Sequence, residues 1–341
     1  MKKETRDKLS DPELLEMRES HFSRLEALYA RKSLDYAFVL NGIAGHAPVD
    51  PYKETERWVD EALDSLADQS ERTMDQVVFR PLVIEFGHYG VHFIDRIFNA
   101  RVYHHEGQWW ADTLKSPVGK LEYPDLDNDD TWQLAERLAK AFISSGVTIP
   151  IFGLPTLSSA LNIAVNLYNE RFLLSMLEEP ESAYHDLNVI NTLLCDLHCW
   201  YLDNIPITQL QPVVAVGRCQ PHGYGQLCGC TTHLLSAKAY FELVAPMDDA
   251  LLSVYPNGGM IHLCGEHIQH IPAWREMKSL RAIQINDRAS EDLEIYFNEL
   301  RDDQIIYLNP TANMNVDRAI QITGGHRIVI VADIFEPYQL R

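Results

Sequence analysis

Six cysteines in 341 residues are too few to staple a disulfide scaffold, and no apolar run approaches the 18 residues that a membrane-spanning helix needs. Positive charge is scarce as well: 29 Lys and Arg stand against 49 Asp and Glu, a net charge of −20 with His neutral. Nucleic-acid binders normally carry a basic stripe that releases counterions, so phosphate backbones and anionic lipid surfaces are set aside as partners. The opening stretch Met1-Lys-Lys-Glu-Thr-Arg-Asp-Lys lacks the apolar segment of a secretion signal, so a cytoplasmic protein with reduced cysteines is expected. Gly-x-Gly-x-x-Gly, a phosphate loop, a nucleophile elbow, internal repeats and low-complexity segments are all missing. What the chain does have is 46% hydrophobic residues, enough for a sizeable core, and a length that suits one large domain.

The first 75 residues read as helical: Leu14, Met17, Phe22, Leu25 and Leu28 recur at three-to-five-residue steps, and 58–66 repeats the habit. A short apolar run at 36–40 lies between them. Further on, apolar runs rich in β-branched residues at 81–86, 147–152, 212–216, 260–263, 280–285, 304–308 and 327–332 alternate with segments of helical period. Leu187, Ile190, Leu194, Leu197 and Tyr201 make one stripe on a helix that starts near Pro180, and Leu293, Tyr296, Phe297 and Leu300 follow Ser290 as an N-cap. Continuous rather than alternating runs suit parallel strands covered on both faces. With 36–40 counted there are eight candidates, which predicts an α/β chain folded as a (β/α)8 TIM barrel, with an open doubly wound sheet as the alternative. The expected organisation is a helical N-terminal extension over 1–75 packed on a barrel over 76–341, together one structural domain.

In a barrel the chemistry belongs at the C-terminal ends of the strands. Those ends carry Glu85 and His88, Arg218 and Cys219, His262 and Cys264, Asn286 and Asp287, Asn309, and Asp333. The sharpest feature is Met260-Ile-His262-Leu-Cys264-Gly265. Residues two apart in a strand share a face, so an imidazole and a thiol stand side by side, as ligands of zinc do, or as a buried thiol beside a hydrogen-bonded histidine. A second cluster, Cys219-Gln-Pro-His222-Gly-Tyr-Gly-Gln-Leu-Cys228-Gly-Cys230, either binds metal, lends a third ligand to the His262 site, or forms a mobile active-site loop. Its spacing fits no standard closed zinc module, which favours the loop. His88 and His92, four apart, and His267 and His270, three apart, lack the glutamate of a metalloprotease helix and are read as surface or packing residues, with His88 the exception because it stands at a strand end. Trp109-Trp110 with Tyr103 is read as core cover near a β-hairpin insertion, and 125–130 as a solvated acidic loop.

Gly153-Leu-Pro155-Thr-Leu-Ser-Ser-Ala, Leu173-Leu-Ser-Met-Leu-Glu-Glu-Pro180-Glu, Leu235-Ser-Ala-Lys-Ala-Tyr-Phe-Glu-Leu-Val-Ala-Pro246, His262-Leu-Cys264-Gly265 and Ile305-Ile-Tyr-Leu-Asn309-Pro310 recur in an order and spacing that resemble the uroporphyrinogen decarboxylase superfamily, over roughly residues 80–335. The resemblance implies a (β/α)8 barrel and one of two activities: decarboxylation of porphyrinogens without a cofactor, or zinc-dependent methyl transfer from a corrinoid protein to a thiol such as coenzyme M. Arg80-Pro-Leu-Val-Ile-Glu85-Phe-Gly-His88-Tyr89-Gly differs from the Arg pair, Gln and Asp of the decarboxylases, and an acidic chain disfavours a polycarboxylate. The methyltransferase branch is therefore the closer one. It implies zinc on His262 and Cys264, a methyl-corrinoid donor, a small-molecule acceptor and a homodimer. Its third cysteine is missing, since no Cys follows Cys264. The expected third ligand is Cys219, Glu266 or Asp287, with His262, Cys264 and Asp287 catalytic and Glu85, His88, Arg218, Asn309 and Asp333 holding substrate. A decarboxylase of a polycarboxylate and a non-catalytic ligand-binding barrel are the alternatives.

Overall fold

A computed structural model describes residues 1–212 and 215–332. Its strands are β1 (Phe38–Leu40), β2 (Ile43–Ala44), β3 (Val78–Phe79), β4 (Leu82–Glu85), β5 (Val102–His105), β6 (Gln108–Ala111), β7 (Ile151–Gly153), β8 (Leu210–Gln211), β9 (Gly225–Cys228), β10 (Gly259–Cys264), β11 (Leu280–Asn286), β12 (Ile305–Leu308) and β13 (Ile328–Val331). They form a seven-stranded sheet in the order β3-β1-β13-β12-β11-β10-β9, a four-stranded sheet in the order β2-β4-β7-β8, and the hairpin β5-β6. Every pairing in the two larger sheets is parallel, and β1 lies directly beside β13. The fold is thus mixed α/β with parallel sheets and many helices. Among the described residues no helix is long and apolar enough to cross a membrane.

Helices form where the apolar spacing predicts them, over Pro12–Tyr29, Thr55–Ala67 and Pro180–Asn204. Asp11 caps the first of these by accepting from the Glu13 amide at 2.8 Å, with Pro12 in the tolerated first position. Ser290 does not cap the helix that follows it. That helix, Leu293–Glu299, starts after Asp292, and the Ser290 hydroxyl lies 3.1 Å from the Ile285 carbonyl and 2.9 Å from that of Asn309, tying the ends of β11 and β12 together. The acidic stretch at 125–130 also does more than meet solvent, because Asp129 accepts from the Trp132 amide at 2.7 Å and caps the helix Asp130–Ser145.

Two strand assignments shift. The run at 212–216 is not a strand in its described part: β8 ends at Gln211 and Ala215–Arg218 is a helical turn. There the Val216 amide donates to Glu85 at 3.2 Å and its carbonyl accepts from Gly42 at 2.7 Å, so its backbone is satisfied outside a ladder. Conversely, part of the supposed loop between Cys219 and Cys230 is β9, a buried strand paired with β10.

The pleat divides the core. Ile306 and Leu308 of β12 face the main cluster, whereas Ile305 and Tyr307 face a second one. That second cluster also holds Met260, Ala282 and Val329, with Phe22 and Leu25 of the helix Pro12–Tyr29 against them. The same face continues toward the C-terminal ends of the strands, and there it turns polar. Met260 gives way to His262 and then Cys264, Ala282 to Gln284, and Tyr307 to Asn309.

Candidate metal centre and its cavity

Parallel register sets the site. His262 of β10 pairs with Cys228 of β9 on one side and Gln284 of β11 on the other. Beyond β9 the chain turns at Gly229, whose amide donates to the His262 carbonyl at 2.8 Å, and the next residue is Cys230. The turn therefore folds the Cys230 thiol back over β10. The ligand atoms of Cys230, His262 and Cys264 all lie within 4.8 Å of one another. The Cys264 sulfur is 3.2 Å from His262 Nε2.

Neighbouring groups fix this trio. Gln284 donates through Nε2 to Asn309 Oδ1, so its carbonyl oxygen faces His262 Nδ1 and accepts its proton. The Nε2 lone pair is thereby left for the sulfur side, which is how a metal-ligating histidine is normally oriented. A bond from the Cys230 thiol, with His262 behind it, pushes the Cys264 thiol's pKa down in spite of burial, and the same contact together with burial pushes that of Cys230 up. Between them the two thiols keep one proton, which a metal ion held by both sulfurs would displace. His267 ties the two segments together. Its Nε2 donates to the Cys264 carbonyl at 2.6 Å and its Nδ1 lies 3.0 Å from the Thr232 hydroxyl, and burial pushes its pKa down to about 4.

A cavity of about 360 Å³ adjoins the trio, lined by Val91, Thr156, Ser158, Asn162, Asn166, Arg218 and Cys228 as well. Arg218 Nη1 lies 3.6 Å from Cys228 Sγ, and it donates at 3.0 Å to Gln226 when that amide is turned to satisfy both its ends.

Of the residues expected from sequence, His262, Cys264 and Arg218 meet at this cavity, and Asn309 stands behind them through Gln284. The third ligand-capable group is Cys230, and none of Cys219, Glu266 and Asp287 joins the trio. The Cys219 side chain is fully buried in the second core cluster, and Glu266 and Asp287 are exposed. Asp287 has φ +49°, an unusual backbone for a non-glycine residue directly after β11. Glu85 is engaged with the Val216 amide. His88 sits among Tyr52, Phe86, Tyr89 and Trp109, with ring centroids 4.4 to 5.8 Å away, and burial pushes its pKa down. It shares no helix with His92, because Tyr89 at φ +66° breaks the chain between them. Asp333 lies outside the described residues. Sequence reasoning missed Gln284, Asn162 and Asn166 outright, and it took the cysteine turn for a loop because β9 is short and glycine-flanked.

The fold is similar to that of a methyltransferase from Methanosarcina mazei, with a TM-score of 0.65 over 93% of this chain and 94% of that one, at 10% sequence identity. No family model matches the chain, and no curated protein matches its sequence. The likeness is therefore one of fold, and it accompanies a Cys-His-Cys group able to hold a metal ion.

Proposed function

We propose that the protein is a zinc-dependent methyltransferase on a (β/α)8 barrel, akin to the branch of the uroporphyrinogen decarboxylase superfamily that passes a methyl group from a methyl-corrinoid, carried by a corrinoid protein, to a thiol. The observation that supports this most is the convergence of Cys230, His262 and Cys264 within 4.8 Å beside a cavity of about 360 Å³. Two thiols and an imidazole suit zinc, and three protein ligands leave a fourth position open to substrate. Bound there, zinc would supply the Lewis acidity that keeps a substrate thiol deprotonated near neutral pH.

The remaining work falls to the chain. Gln284 holds the His262 tautomer, the His267-Thr232 contact holds the Cys230 turn against Cys264, and Arg218 offers a cation to an anionic acceptor. In the reaction the acceptor sulfur forms the new C–S bond. The methyl–cobalt bond breaks with its electron pair kept on cobalt, and the thiol proton leaves to solvent.

Two measurements on protein purified without added metal test the reading. Elemental analysis is expected to find about one equivalent of zinc, falling below about a tenth in Cys230→Ala and Cys264→Ala. Loss of the methylcobalamin absorbance should require both protein and thiol. A zinc-free wild type that leaves methylcobalamin intact overturns the proposal.

A further inference from the structure

The helix Ala160–Tyr168 presents two amides to the cavity, Asn162 and Asn166, one turn apart on one face. Each is already half used, and that fixes which end remains. Asn162 Oδ1 accepts from the Thr231 amide at 3.0 Å, so its NH2 is left to donate. Asn166 Nδ2 donates to Asp95 Oδ2 at 3.0 Å, so its carbonyl is left to accept.

Asp95 is the unusual member. It is fully buried, its Oδ2 is 2.6 Å from His92 Nδ1, and its Oδ1 has no partner among the described residues. Burying a carboxylate with one oxygen unpaired is expensive, and burial raises its pKa accordingly. The methyl-transfer reading gives this acid no role. Through Asn166, however, it polarises a carbonyl on the cavity wall toward positive charge. The same cavity carries Arg218, which favours negative charge. A lining with one group of each kind complements a zwitterion.

We propose that the acceptor is an α-amino-acid thiol, its sulfur directed to Cys230, His262 and Cys264, its carboxylate held by Arg218 and the Asn162 NH2, and its ammonium by the Asn166 carbonyl. Asp95 is then a positioning residue that acts through Asn166. The inference rests on the methyl-transfer reading and deepens it, and the product is a thioether amino acid. A purely anionic thiol leaves the Asn166 carbonyl unanswered, and sites built around a polar partner discriminate strongly against ligands that lack it.

The test uses zinc-loaded protein with methylcobalamin as donor and three acceptors: L-homocysteine, 4-mercaptobutanoate, which is the same chain without the ammonium, and 2-mercaptoethanesulfonate. The expected kcat/KM for L-homocysteine is at least about tenfold above either of the others, mostly through KM. In Asn166→Leu, which keeps the volume and removes the acceptor, the ratio of L-homocysteine to 4-mercaptobutanoate should fall to within about threefold. Asp95→Asn should lower the same ratio, a change that a merely structural acid would not produce. Should that buried variant fail to fold, Asn166→Leu decides alone. Equal use of the three acceptors, or a preference for the sulfonate, overturns the amino-acid proposal and leaves methyl transfer standing. If no acceptor is methylated, the methyl-transfer reading falls, and calorimetry decides the head-group site by itself: L-methionine must bind at least about tenfold tighter than 4-(methylthio)butanoate, and equal binding overturns the proposal.

Discussion

The two nitrogens of His262 have different duties, and Gln284 separates them. With Nδ1 donating to the Gln284 carbonyl, Nε2 keeps its lone pair toward Cys264, and Gln284 is itself oriented by Asn309. A neutral amide orients the ring without adding charge to the site. Gln284→Leu removes that acceptor while roughly keeping the volume, and outer partners of this kind are worth about 10- to 100-fold in metal affinity. The expectation is a loss of that size in zinc affinity, measured by competition with a chromogenic chelator, with the circular dichroism spectrum unchanged. Unaltered affinity would mean that the tautomer is held some other way. His262 and Cys264 were legible in the sequence because an i, i+2 pair in a strand must share a face. Gln284 was not legible, because a barrel reading makes 260–263 and 280–285 neighbours but does not give the register that sets Gln284 opposite His262. Asn309 was expected to touch substrate, and its place behind Gln284 depends on that same unseen register.

At the scale of elements, the site depends on how closely β9 approaches β10. The approach is made by two glycines, Gly225 and Gly259, partners in register at the start of both strands. A Cβ on Gly259 would run into the Gly225 carbonyl, and one on Gly225 would run into the Tyr255 ring. Gly259→Ala must therefore push β9 outward, and Cys230 rides on the turn at the end of that strand. The expected result is a loss of about 1–3 kcal/mol in urea unfolding together with loss of zinc, since overpacking a tight contact costs in that range. Gly87→Ala is the comparison, because nothing lies within 4 Å of a Cβ there and its stability should stay within about 0.5 kcal/mol of wild type. If Gly259→Ala unfolds earlier yet keeps its zinc, the trio does not depend on this strand contact. Seven of the parallel strands, β1, β4, β7 and β10 to β13, were legible as uninterrupted apolar runs, whereas the two-residue β2, β3 and β8 fall outside those runs. β9 escaped because Gly-Gln-Leu-Cys offers only four residues, one of them a glycine, and its strand character comes from β10. With β9 read as loop, the cluster could be offered as a source of a third ligand for the His262 site, but nothing singled out Cys230, 34 residues before Cys264, over Cys219.

Across the whole molecule, buried histidines and buried acids set opposing pH dependences. Burial pushes His198 down to about 3 and lowers His21, His222 and His270 as well. Each is neutral in the folded protein, whereas in the unfolded chain it takes a proton below about pH 6.5. The unfolded state then binds more protons, so stability is lost as pH falls from about 6.5 toward each folded-state value. Asp248 works the other way. Fully buried beneath the Tyr240 hydroxyl, it is pushed up to about 7, so between about pH 3.8 and 7 the folded state holds a proton that the unfolded state has released. Its penalty accumulates as pH rises through that window and is constant above it. Six histidines are lowered in this way, His88 and His267 included, against the three raised acids Asp248, Asp95 and Asp129, and the stability of the wild type should rise from pH 4.5 to about 6.5. Asp248→Asn removes one opposing slope but keeps an acceptor for Tyr240. Its advantage over wild type should be small at pH 4.5, grow up to about pH 7, and stay flat from there to pH 8. Urea midpoints of both proteins across that range measure the difference. Two parallel curves would show that Asp248 is ionised in the fold throughout, its charge met by groups other than Tyr240.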